Sequence, residues 1–171
     1  MTDPEIHKGL AGVVVDTTTI SSVNPQTNSL LYRGYPVQEL AAQCSFEEVA
    51  WLLWHGELPT AGELEGFEKL ERGLRRLDDR TRRALDDIPA SAHPMDALRT
   101  AVSQLGGLDP TLEQENGILD PELNLGRAVY LFAQLPTIVA YIQRRRRGLE
   151  AVEPRDDLDY ARNFLWLTFG E

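Results

Sequence analysis

Two four-residue words, Ser45-Phe46-Glu47-Glu48 and Thr60-Ala61-Gly62-Glu63, dictate where two consecutive helices begin, and they constrain the fold more than any other feature. In each, a hydroxyl and a later glutamate satisfy backbone N–H groups that a helix start leaves free. The first helix must stop at Gly56, and Leu58-Pro59-Thr60 launches the next. Phe46, Val49, Ala50, Leu53 and Trp54 then form one apolar stripe at helical spacing, as do Leu64, Phe67, Leu70, Leu74 and Leu77. Glycines at 66 and 73 weaken the second helix by up to ~1 kcal/mol each relative to alanine.

The rest of the chain reads around this pair. Residues 10–20 are β-branched and predict a strand; Asn24-Pro25-Gln26-Thr27-Asn28 is turn chemistry, and Leu30-Leu31-Tyr32 pairs back as the second strand of a small hairpin. After Pro36 everything reads as helix and loop. A short helix covers Asp79 to Asp87. Another opens at His93-Pro94-Met95-Asp96, presents Leu98, Ala101, Val102 and Leu105 on one face, and stops at Gly106-Gly107. Residues 108–120 form an acidic loop (Asp109, Glu113, Glu115, Asp120), expected to be mobile. The longest apolar helix runs from Leu123 to Arg147, bent at Pro136 and closed by Gly148. Its apolar residues, among them Leu125, Val129, Phe132, Ile138, Val139 and Ile142, spread too widely for one stripe. A helix apolar all round is covered on all sides, which predicts a partner surface as well as a core. A last helix starts near Asp157 and carries Tyr160, Phe164, Leu165, Leu167 and Phe169.

A length of 171 residues, 42% hydrophobic and 26% charged, fits one ordinary soluble domain. A formal net charge of −10 argues against a nucleic-acid partner. The apolar runs fall short of the ~20 residues that cross a bilayer, so no membrane partner is expected. One cysteine and no signal-peptide pattern at Met1-Thr2-Asp3-Pro4-Glu5 point to a cytoplasmic protein.

Few residues offer chemistry. His7 lies in a tail, His55 ends a helix where its ring suits free carbonyls, and His93 is placed to cap the helix after it. No pair stands at metal-ligand spacing, so neither metal nor cofactor is expected. Cys44 has no partner base beside it and reads as an inert, half-buried thiol. Arg144-Arg145-Arg146-Arg147 is either a solvated helix end, where cations meet the carbonyl pole, or an anchor for a polyanion such as the phosphates of coenzyme A. The first reading is favoured, because neighbours on a helix point about 100° apart. Arg75-Arg76 is a second candidate, since arginine forks suit carboxylates.

Several words stand in a fixed order: Tyr32-Arg33-Gly34-Tyr35, Phe46-Glu47-Glu48-Val49-Ala50, Gly56-Glu57-Leu58-Pro59-Thr60, His93-Pro94-Met95-Asp96, Leu135-Pro136-Thr137-Ile138, Asn163-Phe164-Leu165 and Phe169-Gly170-Glu171. In that order and spacing they resemble the start of citrate synthases. Gly9-Leu10-Ala11-Gly12-Val13-Val14-Val15-Asp16-Thr17-Thr18 looks closest to the bacterial 2-methylcitrate synthases of that family. The resemblance implies a mainly α fold, a citrate-synthase-type helical large-domain portion over residues 36–171 behind a tail and β-hairpin over 1–35. It implies a homodimer that condenses acetyl-CoA or propionyl-CoA with oxaloacetate. An aspartate takes the α-proton of the thioester, one histidine stabilises the enolate oxygen and a second polarises the oxaloacetate carbonyl. In the family those residues follow the Phe-Gly-Glu word, so none is assigned to a position here. Arg76 is nominated as a substrate-side arginine. Trp166 stands where relatives commonly carry histidine, which implies altered local packing.

Two readings follow. Either this is the N-terminal part of a synthase whose activity belongs to a longer protein, or it is a non-catalytic homologue or one half of a split synthase. The first is preferred because the sequence stops inside a family word, at Gly170-Glu171.

Overall fold

The computed structural model describes residues 8–10, 12–109 and 120–170. A 3-10 turn at Lys8–Leu10 precedes three short strands, β1 (Ser21–Asn24), β2 (Ser29–Tyr32) and β3 (Tyr35–Pro36). Seven helices follow among the described residues: α1 (Val37–Gln43), α2 (Phe46–His55), α3 (Ala61–Leu74), α4 (Asp79–Asp87), α5 (Pro94–Gly107), α6 (Pro121–Arg146) and α7 (Tyr160–Phe169).

The sheet is antiparallel, in the order β1-β2-β3. Asn24 Oδ1 accepts the N–H groups of Gln26 and Thr27, shaping the first turn. Arg33 and Gly34, at φ 48° and 91°, make a two-residue turn directly after the second strand. Two successive positive φ values match the twist of a tight hairpin, so a third strand forms where two were expected. Residues 13–20 form no strand. They are exposed and carry no ladder partner, and β-branched composition alone does not hold an extended segment in a sheet.

Both capping boxes close as expected: Ser45 and Thr60 accept from the amides of Glu48 and Glu63, and each glutamate reaches back to its cap's N–H. Gly56, at φ 92°, ends α2 in the left-handed conformation that favours glycine. The hairpin is fastened to this end by Arg33, whose guanidinium donates twice to the Leu53 carbonyl and once to Thr19. α7 starts at Tyr160, later than expected. Asp159 is its cap and accepts from Arg162 N–H, so the preceding acids lie outside the helix.

α6 is the spine. It packs on α3, α5 and α7. Leu77, Leu85, Ala97, Ala101, Leu105, Ile138 and Ile142 form an apolar core between it and α4–α5. Pro136 lacks an N–H, which frees the Phe132 carbonyl four residues earlier, and the Tyr160 hydroxyl donates to that carbonyl at 2.8 Å. The helix therefore continues through its proline. α6 has the length and mean hydropathy of a membrane-crossing helix, although, as expected, its uninterrupted apolar runs are short. Its packing against three other helices covers 39% of that apolar stretch.

Candidate functional site

Around α2, α3 and α7 the apolar Leu52, Phe67 and Leu167 are buried together with an unusual number of polar side chains. Glu47, Glu71, Arg75, Gln134, Thr137 and Asn163 are all buried. Phe67, Glu71 and Arg75 recur every four residues, so one face of the α3 stretch starts with a ring and ends with an ion pair. The stripe reading placed Leu70 there instead, and Leu70 is exposed.

Arg75 is the hub. Its Nε donates to both Glu71 oxygens at 2.8 and 3.0 Å, and one terminal nitrogen donates to Glu71 at 2.6 Å. The other reaches the carbonyls of Arg155 and Leu158 at 2.7 and 2.8 Å, in the segment that leads into α7. Burial pushes the Glu71 carboxyl up, against the pull of Arg75 in the opposite direction. Around this pair, Thr137 donates to the Arg75 carbonyl, and Gln134 donates to the carbonyls of Leu74 and Arg76. The free C-terminal carbonyls of α3 are thus capped by side chains of α6.

α7 is gripped from three further sides. Glu47 of α2 accepts the Tyr160 N–H at 2.8 Å, and Asn163 Oδ1 accepts the Arg155 N–H at 2.9 Å. The Tyr160 ring stacks on Phe132 and Phe46, with centroids at 4.3 and 4.8 Å, and burial raises its hydroxyl pKa strongly. At the far end, Arg144 donates to the Thr168 carbonyl at 3.2 Å. Trp166 donates its indole N–H to the Glu153 carbonyl and lies under the Arg155 guanidinium at 5.2 Å.

Arg76 points the other way. It is largely exposed and lies 3.3 Å from Glu153, whose second oxygen takes Arg82 at 2.6 Å. The four-arginine run is a solvated helix end only in part: Arg146 and Arg147 are exposed, whereas Arg144 and Arg145 are half-buried. Arg145 donates to the carbonyls of Leu85, Asp86 and Ile88, Arg146 to those of Ala90 and Ala92, and Arg144 to those of Glu150 and Thr168. Apart from Glu150, these acceptors lie 24 or more residues away in sequence, so three of the guanidiniums tie the α4–α5 connection and α7 to the end of α6. His93 caps α5 by accepting the Met95 N–H, and His55 donates from Nδ1 to the Trp51 carbonyl while its ring stacks on that tryptophan. Cys44 is half-buried, and burial raises its pKa. His7 and most of the acidic loop lie outside the described residues; at the loop's edges, Asp109 pairs with Arg127 and Asp120 caps α6.

An apolar cavity of about 600 Å³ opens between α5 and α6, lined by Val102, Leu105, Leu123, Tyr130 and Leu131 among others. Among the described residues no cluster of histidine, cysteine and carboxylates could hold a metal ion. What the polar junction can do is hold backbone in register. No described histidine stands there as proton donor or acceptor.

The family model described as citrate synthase, C-terminal domain, matches residues 9–171. The chain belongs to the citrate synthase family. A citrate synthase of Mycolicibacterium smegmatis is 56% identical over 168 residues, covering 98% of this chain and 44% of that protein. A 2-methylcitrate synthase of Mycobacterium tuberculosis (strain H37Rv) is also 56% identical, over 98% of this chain and 41% of its own length. The crystal structure of citrate synthase from Pyrobaculum aerophilum superposes with a TM-score of 0.89 at 38% identity, over 97% of this chain and 42% of that one. The chain thus spans less than half the length of the relatives it matches.

Proposed function

We propose that this chain supplies the first, scaffolding part of a 2-methylcitrate or citrate synthase that condenses propionyl-CoA or acetyl-CoA with oxaloacetate and hydrolyses the thioester. The observation that carries the reading is a family match over nearly the whole chain, joined to 56% identity with synthases of both names. In this reading the base that removes the α-proton and the donors that stabilise the enolate and polarise oxaloacetate belong to the remainder of the enzyme. This part contributes the hairpin, the helical core and the fixed placement of α7. Arg76 is the residue of this part assigned to the oxaloacetate side, where it would exchange Glu153 for a substrate carboxylate.

The working enzyme in this reading is a homodimer. Only 39% of the most apolar stretch of α6 is buried within this chain, which leaves apolar surface for a second subunit or for the rest of the enzyme. Acetyl and propionyl groups differ by one methylene, a difference worth only about 1–3 kcal/mol in a pocket.

Co-expression tests the reading. The chain, produced together with the remaining portion of the M. tuberculosis 2-methylcitrate synthase, should form a complex that releases thiol from propionyl-CoA only when oxaloacetate is present. A well-assembled complex without turnover would overturn it. Arg76→Gln in that complex should raise the KM for oxaloacetate; an unchanged KM would remove Arg76 from the substrate side.

A further inference from the structure

We infer that Arg75 is a positioning residue: buried and paired to Glu71, it fixes the segment 153–160 and hence α7 in one register for the condensation reaction. The inference rests on the synthase reading for its functional half and on geometry for its structural half.

Arg75 is 1% exposed and its fork is divided between two tasks. One face satisfies Glu71 on its own helix, and the other holds two backbone carbonyls some eighty positions away, those of Arg155 and Leu158. A buried ion pair is a poor source of stability, since desolvation offsets much of the attraction and an apolar pair of similar volume does as well or better. Its distinctive property is direction. A planar guanidinium bonded to a carboxylate on one side can meet acceptors on the other only at fixed distance and angle. Stability alone would have been served by extending the apolar core already present between α4, α5 and α6.

The surroundings agree. The Tyr160 N–H goes to the buried Glu47, the Arg155 N–H to the buried Asn163, and the Tyr160 hydroxyl to the carbonyl freed by Pro136. Each bond runs from the start of α7, or from the segment before it, to a different element: α2, α7 itself and α6. None requires a solvent-facing partner. α7 is therefore located at its entry by polar bonds of defined geometry, and by Arg144 at its exit. In the synthase reading the catalytic groups follow α7, so an error in its register is carried directly to them. Positional errors on the ångström scale are costly to enzymes.

Two variants test this. Arg75→Lys keeps a cation for Glu71 but loses the second hand on residues 155 and 158. The double variant Glu71→Met/Arg75→Met replaces the pair with apolar side chains and leaves those two part-buried carbonyls without the guanidinium. In this chain both should accelerate amide exchange over 153–169 by about tenfold while α5 is unchanged, because local opening is independent of the core. In the co-expressed enzyme both should lower kcat while assembly and the KM for oxaloacetate hold. Exchange that rises equally in α4, α5 and α7, that does not change at all, or a double variant that fails to fold would each overturn the inference. A co-expressed wild type without turnover would fail the synthase reading alone, since the exchange measurement stands without it.

Discussion

The two halves of this molecule share one helix and differ in how much polar surface they bury. On one side of α6, Leu77, Leu85, Ala97, Ala101, Leu105, Ile138 and Ile142 exclude water and make no directional bond. On the other, beside the buried Leu52, Phe67 and Leu167, the polar Glu47, Glu71, Arg75, Gln134, Thr137 and Asn163 are as deeply buried and are bonded almost throughout. Apolar burial scales with area and tolerates small slips, whereas a buried polar network tolerates none, because each broken bond strands a desolvated group. α4 and α5 pack on an apolar core with guanidinium bonds only at their connection, whereas α7 adds to its apolar contacts a set of buried polar bonds that fix its position.

The sharpest way to break that comparison is to remove one partner from the polar half. Arg75→Met alone strands the Glu71 carboxylate and should cost about 3–5 kcal/mol in urea unfolding, whereas changing both residues should recover most of it. Additive losses would mean that no coupled pair exists. In the apolar half, Ile138→Ala should cost about 2–5 kcal/mol and Ile138→Val about 0.5–1.5, a graded response that follows lost volume. A smaller effect belongs to the seam between the halves: Tyr160→Phe leaves the Phe132 carbonyl without a donor and should cost about 1–3 kcal/mol, with little change if water replaces the hydroxyl.

The smallest effect is at a cap. Asp78 accepts the Thr81 N–H at 2.6 Å, and that bond holds its carboxyl below the ordinary value of 3.8. A depressed folded pKa gives stability that is present above the ordinary value and lost as pH falls through the lower folded one. Asp78→Ala should therefore cost about 1 kcal/mol at neutral pH, and the gap to wild type should close in acid below the ordinary value. A gap independent of pH would show that the cap is not acting through its charge.

The apolar half and the helix starts were legible in the sequence because their signals are local. Ser45 and Thr60 announce their helices within one turn, and Ala101 and Leu105 recur at helical spacing. The polar half was not, because its acceptors are backbone carbonyls contributed from far along the chain. Arg75 beside Arg76 reads as an ordinary charged helix end, yet the first is buried and the second exposed. The one available signal was two charged residues, Glu71 and Arg75, on the same face as Phe67. Arg144 to Arg146 misled in the same way, since their partners between residues 85 and 92 and at Thr168 are brought near only by the fold. Residues 13–20 misled in the opposite direction: strong β-propensity found no strand to pair with.

The central proposal is that this chain contributes the scaffold of a condensing synthase whose catalytic groups lie in the remainder of the enzyme. Thiol release measured on a preparation shown by intact mass to contain only this chain, with propionyl-CoA or acetyl-CoA and oxaloacetate, tests it most directly. The account predicts no release above the uncatalysed background, and oxaloacetate-dependent turnover by that preparation would contradict it.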